Sequence, residues 1–235
     1  MRAVVRPLVL LFILAVPVAV LAEPAEEPMY LQLLLGQLQL NDGRVASNGS
    51  GAAYDGRLDD IPYVGGIAQV IMRDDVAGYG WEGGAFVSWI NDYASYYARS
   101  DGNGGQLNVR LDNAFWSLET FAGLYADYQP MNRLRFYVSG GPLLVYGVAE
   151  TEKPAGSPPA PPSGSGSVIV IDVSNSDTDL SAGWYARAGL ELRLTEDLWA
   201  GLNVRHLNTR LNLSDSIGKL DLDGNQYLFS LTQRF

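Results

Sequence analysis

Apolar and polar residues alternate with a period of two along eight segments of the chain. The approximate limits of these segments are 29–40, 62–73, 81–91, 114–128, 134–147, 180–194, 198–211 and 223–235. Such alternation predicts β-strands whose two faces meet different surroundings. The pattern is clearest in 180–194 and weakest in 62–73, where both faces are almost equally apolar. Each segment has roughly 11–15 residues, and a tilted strand needs only ~9–11 to cross a bilayer.

The connections between the segments alternate in length. The long ones are about 41–61, 92–113 and 148–179, a moderate one is 212–222, and the short ones are 74–80, 129–133 and 195–197. A water-soluble sandwich has no reason to keep its long connections at one end. Outer-membrane barrels do so, because they have short periplasmic turns and longer extracellular loops. We therefore predict an all-β fold, an eight-stranded antiparallel up-and-down transmembrane β-barrel.

Aromatic residues recur at intervals that suit the two surfaces of a bilayer. Trp81 and Trp89 lie eight residues apart on the presumed outward face of one segment. At ~3.3 Å per residue and a tilt of ~40°, this spacing covers roughly 20 Å of bilayer height. The alternative is the core of a water-soluble barrel, in which aromatic side chains point inward. Aromatic girdles are favoured, and we assign to them Trp81, Trp89, Phe136, Tyr146 and Trp184.

The last segment ends on an aromatic residue. Counting back in twos from Phe235 gives Leu231, Phe229 and Tyr227, with only Gln233 interrupting the apolar stripe. This arrangement resembles the C-terminal assembly signal of bacterial outer-membrane β-barrels. The resemblance implies that these four residues are read by the barrel assembly machinery.

The start of the chain predicts export. Arg2 and Arg6 precede an apolar stretch, 8–20, and small residues suited to cleavage follow at 20–22. We expect a signal peptide, 1–22, to be removed, leaving 23–235 as one barrel domain. Within it, 154–167 contains only Pro, Ala, Gly and Ser, which predicts a disordered extracellular insert. A polyproline recognition motif is the alternative for this insert.

Composition narrows the class of protein. The absence of cysteine excludes a disulfide scaffold and metal–thiolate chemistry. The formal net charge of −10 argues against nucleic acid as a partner. With only 18% charged residues, the chain suits a barrel with one face in lipid. We expect a monomer in a Gram-negative outer membrane, in contact with membrane lipid and lipopolysaccharide, without a cofactor or a metal.

The inward faces of the predicted strands carry several charges. An eight-stranded barrel is only just wide enough for its side chains to fill. Charges enclosed there must pair, because an unpaired buried ion costs several kcal/mol. The sequence therefore predicts an interior charge network, and a narrow ion-conducting pore is the alternative. The residues assigned to this network are Glu119, Arg135, Arg187, Glu191, Arg193 and Arg205.

His206 is the only histidine. It lies two residues after Val204 and four after Leu202, so it shares their outward face of the strand, and its predicted position is near the extracellular rim. Barrel enzymes that deacylate lipid A use a histidine and a nearby serine on the outer wall. The surrounding run fits that pattern poorly, because the closest hydroxyl, Thr209, has inward parity. We expect no catalytic residue, and solvated acids rather than a calcium site at 175–179 and 221–225.

Together these features make the chain similar to the small outer-membrane β-barrel families of OmpA/OmpX type, over its whole length after the signal peptide. The resemblance rests on the export signal, the strand rhythm, the terminal Phe235 and the turn at 195–199. It implies the fold and leaves the function open. We expect a non-enzymatic barrel whose extracellular loops serve surface interaction or envelope integrity. A narrow pore and a deacylase-like enzyme that uses His206 are the alternatives.

Overall fold

All regular secondary structure in the described part of the chain is β-strand. The computed structural model describes residues 29–41, 44–45, 48–49, 52–57, 60–74, 76–100, 106–152, 175–213 and 218–235. No helix within these ranges is long and apolar enough to cross a membrane. The strands are β1 (Met29–Leu40), β2 (Arg44–Val45), β3 (Asn48–Gly49), β4 (Ala52–Arg57), β5 (Ile61–Asp74), β6 (Ala77–Ser100), β7 (Gln106–Met131), β8 (Leu134–Glu152), β9 (Asn175–Arg193), β10 (Leu198–Leu213) and β11 (Gly218–Arg234).

Eight of these strands close into one antiparallel barrel. Each pairs with the next in the order β1, β5, β6, β7, β8, β9, β10 and β11, and β11 returns to β1. At this seam Leu33 pairs with Leu231, and the backbone N–H of Phe235 donates to the carbonyl of Met29 at 2.9 Å. The predicted fold class is confirmed, and each of the eight predicted segments is a barrel strand, including the weakly patterned 62–73.

The two ends of the barrel differ. One end, the turn end, carries the short connections at 75–76, 132–133 and 194–197. The start of β1 and the end of β11 lie there too, because the strand number is even. The opposite end, the loop end, carries the remaining connections. The connections that were predicted to be short therefore lie at one end of the barrel, and those that were predicted to be longer lie at the other.

The predicted long loops are wrong in extent, because the strands continue past them. β6 and β7 stay paired from Tyr93–Asn113 to Ser100–Gln106 beyond a register shift after Ile90. β4, inside the predicted loop 41–61, pairs with β6 through Ala52 and Arg99. Residues 91–100 of β6 and 52–57 of β4 show no apolar–polar alternation, whereas 106–112 of β7 alternates, with Leu107, Val109 and Leu111 at every second position. The predicted signal peptide, 1–22, and the insert, 154–167, lie outside the described residues.

Side chains on the two faces of the wall have opposite surroundings. Outward positions expose large apolar side chains, as Leu202, Val204 and Phe229 do. Inward positions are packed and divide into two zones. The half near the turn end is polar, with Gln32, Glu191 and Thr232 fully enclosed. The half near the loop end is filled by apolar side chains, among them Leu38, Ile61, Phe115, Leu207, Leu211 and Leu222.

Inward glycines make room for the large side chains that fill this narrow interior. A Cβ placed on Gly189 would lie 2.3 Å from Cζ of Tyr137 and 2.8 Å from Oδ1 of Asn203. A Cβ on Gly65 would lie 2.3 Å from the Phe86 ring. The glycines are therefore part of the packing, and the aromatic rings occupy the space that their missing side chains leave.

We expect Gly189→Ala to destabilise the folded barrel by about 1–3 kcal/mol, because the Tyr137 ring must shift. Urea unfolding of the protein in detergent micelles measures this difference. The matched control is Gly66→Ala on the outward face, where a Cβ would meet nothing closer than the Gln32 carbonyl at 3.8 Å. Equal stability of the two variants would contradict this account of the interior.

Candidate functional site

Three ion pairs lie in the polar half of the interior. In each pair both side chains are fully enclosed, with no exposed surface. Removing an ion pair from water is costly, and further hydrogen bonds to the charged groups offset part of that cost. The pairs are Arg135 with Glu191, Arg187 with Glu82, and Arg205 with Glu119.

Neutral donors from distant strands complete the shell of Glu191. Its Oε1 accepts from Nε2 of Gln32 at 2.6 Å, from Oγ of Ser230 at 2.9 Å and from Oγ1 of Thr232 at 2.6 Å. Gln32 lies on β1, while Ser230 and Thr232 lie on β11. The carboxylate is thus held by both strands of the seam as well as by Arg135.

Glu82 has a comparable shell. The Tyr185 hydroxyl donates to Oε1 of Glu82 at 2.9 Å, and Nε2 of Gln69 donates to Oε2 at 3.1 Å. Arg187, the cationic partner of Glu82, also donates to Oε1 of Gln32 at 2.5 Å. Gln32 therefore links two of the three ion pairs into one network.

Aromatic rings enclose the guanidinium groups. The Arg205 Cζ lies 4.4 Å from the centroid of Tyr185, 4.7 Å from that of Phe121 and 5.1 Å from that of Phe86. The Arg135 Cζ lies 4.5 Å from the Tyr30 centroid. Contacts at these distances are attractive because the ring face carries partial negative charge. The rings also keep water away from the ion pairs.

The structure brings five of the six predicted network residues into this interior: Glu119, Arg135, Arg187, Glu191 and Arg205. The placement of Arg193 in the network is wrong. Its Nε donates to the carbonyls of Thr195 and Glu196 at 3.0 Å each, because Arg193 is the last residue of β9 and reaches the turn instead. The sequence analysis missed Glu82. It directly follows the outward Trp81, and adjacent residues of a strand lie on opposite faces, so its inward position could have been predicted.

His206 lies on the outer wall, as its parity predicted. Its Nδ1 is 3.2 Å from Oδ1 of Asn225, and its Nε2 is 3.4 Å from Oδ1 of Asp223. Its ring centroid is 5.2 Å from that of Trp184. Thr209, in contrast, is buried and donates to Oγ of Ser181 at 3.1 Å. Within the described chain, the contacts of His206 include no serine or threonine hydroxyl.

The other predicted surface residues lie on the outer wall. The girdle residues Trp81, Trp89, Phe136, Tyr146 and Trp184 are all exposed there, as are Tyr227, Phe229, Leu231 and Phe235 of the last strand. Trp81 and Phe136 are near the turn end, and the other three girdle residues are nearer the loop end. Trp116 joins this second group, with its ring centroid 5.7 Å from that of Tyr146.

The acidic residues form no metal cluster within the described ranges. On the outer wall Asp221 pairs with Arg210, and Oδ2 of Asp223 accepts from Nδ2 of Asn41 at 3.2 Å. At the loop end Oδ2 of Asp179 accepts from the backbone N–H of Asn212 at 2.7 Å. These carboxylates are engaged by side chains and backbone of neighbouring strands.

Comparison with known proteins identifies relatives of the whole barrel. The outer membrane protein beta-barrel domain family matches residues 8–235. No curated protein matches the chain. Among solved structures, the outer membrane protein OprG from Pseudomonas aeruginosa is similar with a TM-score of 0.50 and 13% identity, over 89% of this chain and 96% of OprG. Ail, the attachment invasion locus protein of Yersinia pestis, has a TM-score of 0.48 and 13% identity, over 90% and 100%. At such identities the structural similarity shows the fold alone.

We expect Glu119→Gln to destabilise the barrel by about 3–5 kcal/mol, because it leaves the enclosed Arg205 without its counter-ion. Urea unfolding in micelles, followed by tryptophan fluorescence, measures the effect. Asp221→Asn, which removes the acid of an exposed pair with Arg210, is the control and should leave stability nearly unchanged. A Glu119→Gln barrel as stable as this control would show that the interior charges are not held as pairs.

We expect His206→Ala to leave the acylation of lipid A unchanged in cells that express the protein. A histidine base needs a hydroxyl nucleophile within hydrogen-bond reach, and the described contacts of His206 supply none. Mass spectrometry of extracted lipid A, compared between wild type and variant, gives the answer. An acyl chain that is missing from wild-type cells and restored by His206→Ala would reverse this conclusion.

Proposed function

The chain belongs to the outer membrane protein beta-barrel domain family, and from that premise we propose that it is a non-enzymatic outer-membrane barrel that presents an extracellular β-sheet for surface interaction. The observation that carries the proposal is the extension of β4, β6 and β7 beyond the loop end. The loop end then faces outside the cell and the turn end faces the periplasm. Export through a cleaved signal peptide, 1–22, and insertion by the barrel assembly machinery through the Phe235 strand belong to the same proposal.

The sheet extends well past the membrane surface. Trp89 and Trp116, which pair directly, lie at girdle level, and β6 continues to Ser100. At about 3.3 Å per residue, the segment 91–100 is roughly 30 Å long. Such an extension is not needed to close the barrel, so it is available for contacts outside the cell.

The overhanging strands are rich in tyrosine, with Tyr54 on β4 and Tyr93, Tyr96 and Tyr97 on β6. Tyr54 pairs with Tyr97, and Tyr97 pairs with Val109. Tyrosine is enriched at protein interfaces, where its ring supplies contact area and its hydroxyl a hydrogen bond. The composition of these strands therefore supports binding to another macromolecule.

The filled interior favours this function over a pore. The ion pairs and their aromatic neighbours occupy the polar half, and Leu207, Leu211 and Leu222 pack with other apolar side chains across the half near the loop end. An ion would have to cross this apolar zone without water, which is unfavourable. The position of His206, without a partnered hydroxyl among its described contacts, likewise favours a non-enzymatic barrel.

A truncation of the extracellular hairpin tests the proposal. Residues 94–112 are replaced by Asn-Gly, which joins the paired positions Tyr93 and Asn113 through a tight turn. We expect the truncated barrel to fold, and to lose the adhesion of cells to one another and to surfaces that the full chain confers. Cells lacking the gene are complemented with each form, and their adhesion and sensitivity to detergent are measured.

Planar-bilayer recording provides the complementary measurement on the full chain, with the truncated form as its control. A packed interior should give no steady ohmic current in either form. Adhesion that is unchanged by the truncation would contradict the proposed surface role. A stable conductance would instead support the pore.

A further inference from the structure

The outer wall changes from apolar to polar part-way along β10 and β11. Towards the turn end, outward positions are Leu202 and Val204 on β10 and Tyr227 on β11, all exposed. Towards the loop end, the next outward positions are His206, Asn208 and Arg210 on β10, and Asn225, Asp223 and Asp221 on β11. Since apolar outward residues face hydrocarbon, this change marks the outer surface of the bilayer on this side of the barrel.

A shallow polar depression lies just above that boundary. It has a volume of about 530 Å³ and is bordered by β9, β10, β11 and the residue after β1. Its lining includes Asn41, Trp184, Asn208, Arg210, Asp221 and Asp223. A concave surface with one aromatic wall and several polar groups can hold a polar ligand by stacking and by hydrogen bonds.

Trp184 forms the aromatic wall, and neighbouring residues fix its position. About half of its surface, 49%, is exposed. The His206 ring contacts the indole, with the two centroids 5.2 Å apart and the ring planes tilted by 51°. His206 is in turn held by Asn225 and Asp223. The contact with His206 restrains the indole, and its exposed half lies beside the polar groups of the depression.

The polar groups provide hydrogen bonds of both kinds. Asp221 and Asp223 supply carboxylate acceptors, while Arg210 carries five N–H donors and uses its Nε for Asp221. Asn41 and Asn208 each supply an amide with both a donor and an acceptor. A sugar ring matches this set, because its hydroxyls donate and accept and its C–H face stacks on an indole.

The charges of the depression argue for a sugar rather than for a phosphate. Two carboxylates, Asp221 and Asp223, line it against one guanidinium, that of Arg210. A phosphate placed here would meet two like charges at short range, which is unfavourable. Neutral hydroxyl groups meet no such repulsion.

We propose that this depression binds a sugar ring in the headgroup of an outer-leaflet glycolipid, stacked on Trp184 and hydrogen-bonded by Asp223, Asn208 and Arg210. The position of the depression along the barrel indicates that the sugar belongs to a membrane glycolipid. Asn208 and Asp223 of its lining pair with each other at outward positions, one outward pair beyond His206–Asn225 and two beyond the lipid-facing pair Val204–Tyr227. The headgroups that surround the barrel lie at that level. The site is separate from the extracellular sheet, and the proposal does not depend on the function of that sheet.

The experiment measures glycolipid binding by the full chain reconstituted in phosphatidylcholine nanodiscs that contain a small fraction of lipopolysaccharide. Native mass spectrometry after release from the nanodiscs counts the lipopolysaccharide molecules that remain bound. We expect Trp184→Ala and Asp223→Ala each to weaken retention about fivefold, the effect of losing one stacking contact or one charge-assisted hydrogen bond. The matched control is Trp89→Ala, which removes a girdle tryptophan from the same leaflet but away from the depression, and it should change retention by less than about twofold.

Further arms identify the chemistry and the source. Lipopolysaccharide stripped of its phosphates should be retained as well as the intact form, and loss of binding on dephosphorylation would overturn the sugar assignment. Soluble core oligosaccharide, added to nanodiscs without lipopolysaccharide, should bind far more weakly than the membrane-anchored form. Equal binding of the soluble sugar would overturn the glycolipid as occupant.

Folding is checked for every variant by the shift in gel mobility between heated and unheated samples. If Trp184→Ala does not fold, Trp184→Phe and Asp223→Asn take its place, because both keep the shape of the wall. Equal loss of retention in the Trp89 and Trp184 variants would show a general effect of the girdle and would also overturn the proposal.

Discussion

Hydrocarbon cannot form hydrogen bonds, and this one constraint decides the architecture. Every backbone N–H and C=O that crosses the bilayer must find a partner within the protein, so the sheet cannot leave an open edge in lipid. The ladder between β1 and β11 removes that edge, and the bond from the Phe235 N–H to the Met29 carbonyl extends it to the last residue. With eight strands, closure leaves an interior that side chains can fill. The enclosed charges, the aromatic rings around them and the inward glycines are consequences of that limited space.

The two faces of the barrel wall meet different physical requirements, contact with lipid on the outside and close packing on the inside. The outward face needs only apolar surface between two aromatic girdles, and many sequences provide it. The inward face must fill a fixed volume and provide counter-ions for the charges that it encloses. Arg205 illustrates this, since it has one carboxylate partner, Glu119, one amide partner, Gln226, at 2.9 Å, and three rings around it. A neutral core would avoid the cost of desolvating these ions, and their retention ties distant strands to one arrangement.

Sequence reasoning succeeded where lipid imposes a pattern. All eight barrel strands and the outward positions of Trp81, Trp184 and His206 follow from a period of two. It failed for the overhanging parts of β6 and β7, which were assigned to a loop. Residues 91–100 have no period of two, whereas the alternation of 106–112 is present in the sequence. Parity places a residue on a face but does not select its partner. The pairing of Glu82 with Arg187 could therefore not be predicted, although the inward position of Glu82 could have been derived from that of Trp81. Arg193 bonds to the turn because it lies next to it, and the alternation of faces along a strand gives no information about that distance.

The shell of Glu191 has a consequence for how the barrel comes together. The carboxylate belongs to β9 and its counter-ion Arg135 to the adjacent β8, so this pair forms as soon as these neighbours associate. Three of its remaining donors, Gln32, Ser230 and Thr232, come from the two strands of the seam. A sheet that has not yet joined β1 to β11 thus lacks three protein donors to this carboxylate. Ring closure and completion of the shell of Glu191 become one cooperative event, which disfavours partly assembled intermediates.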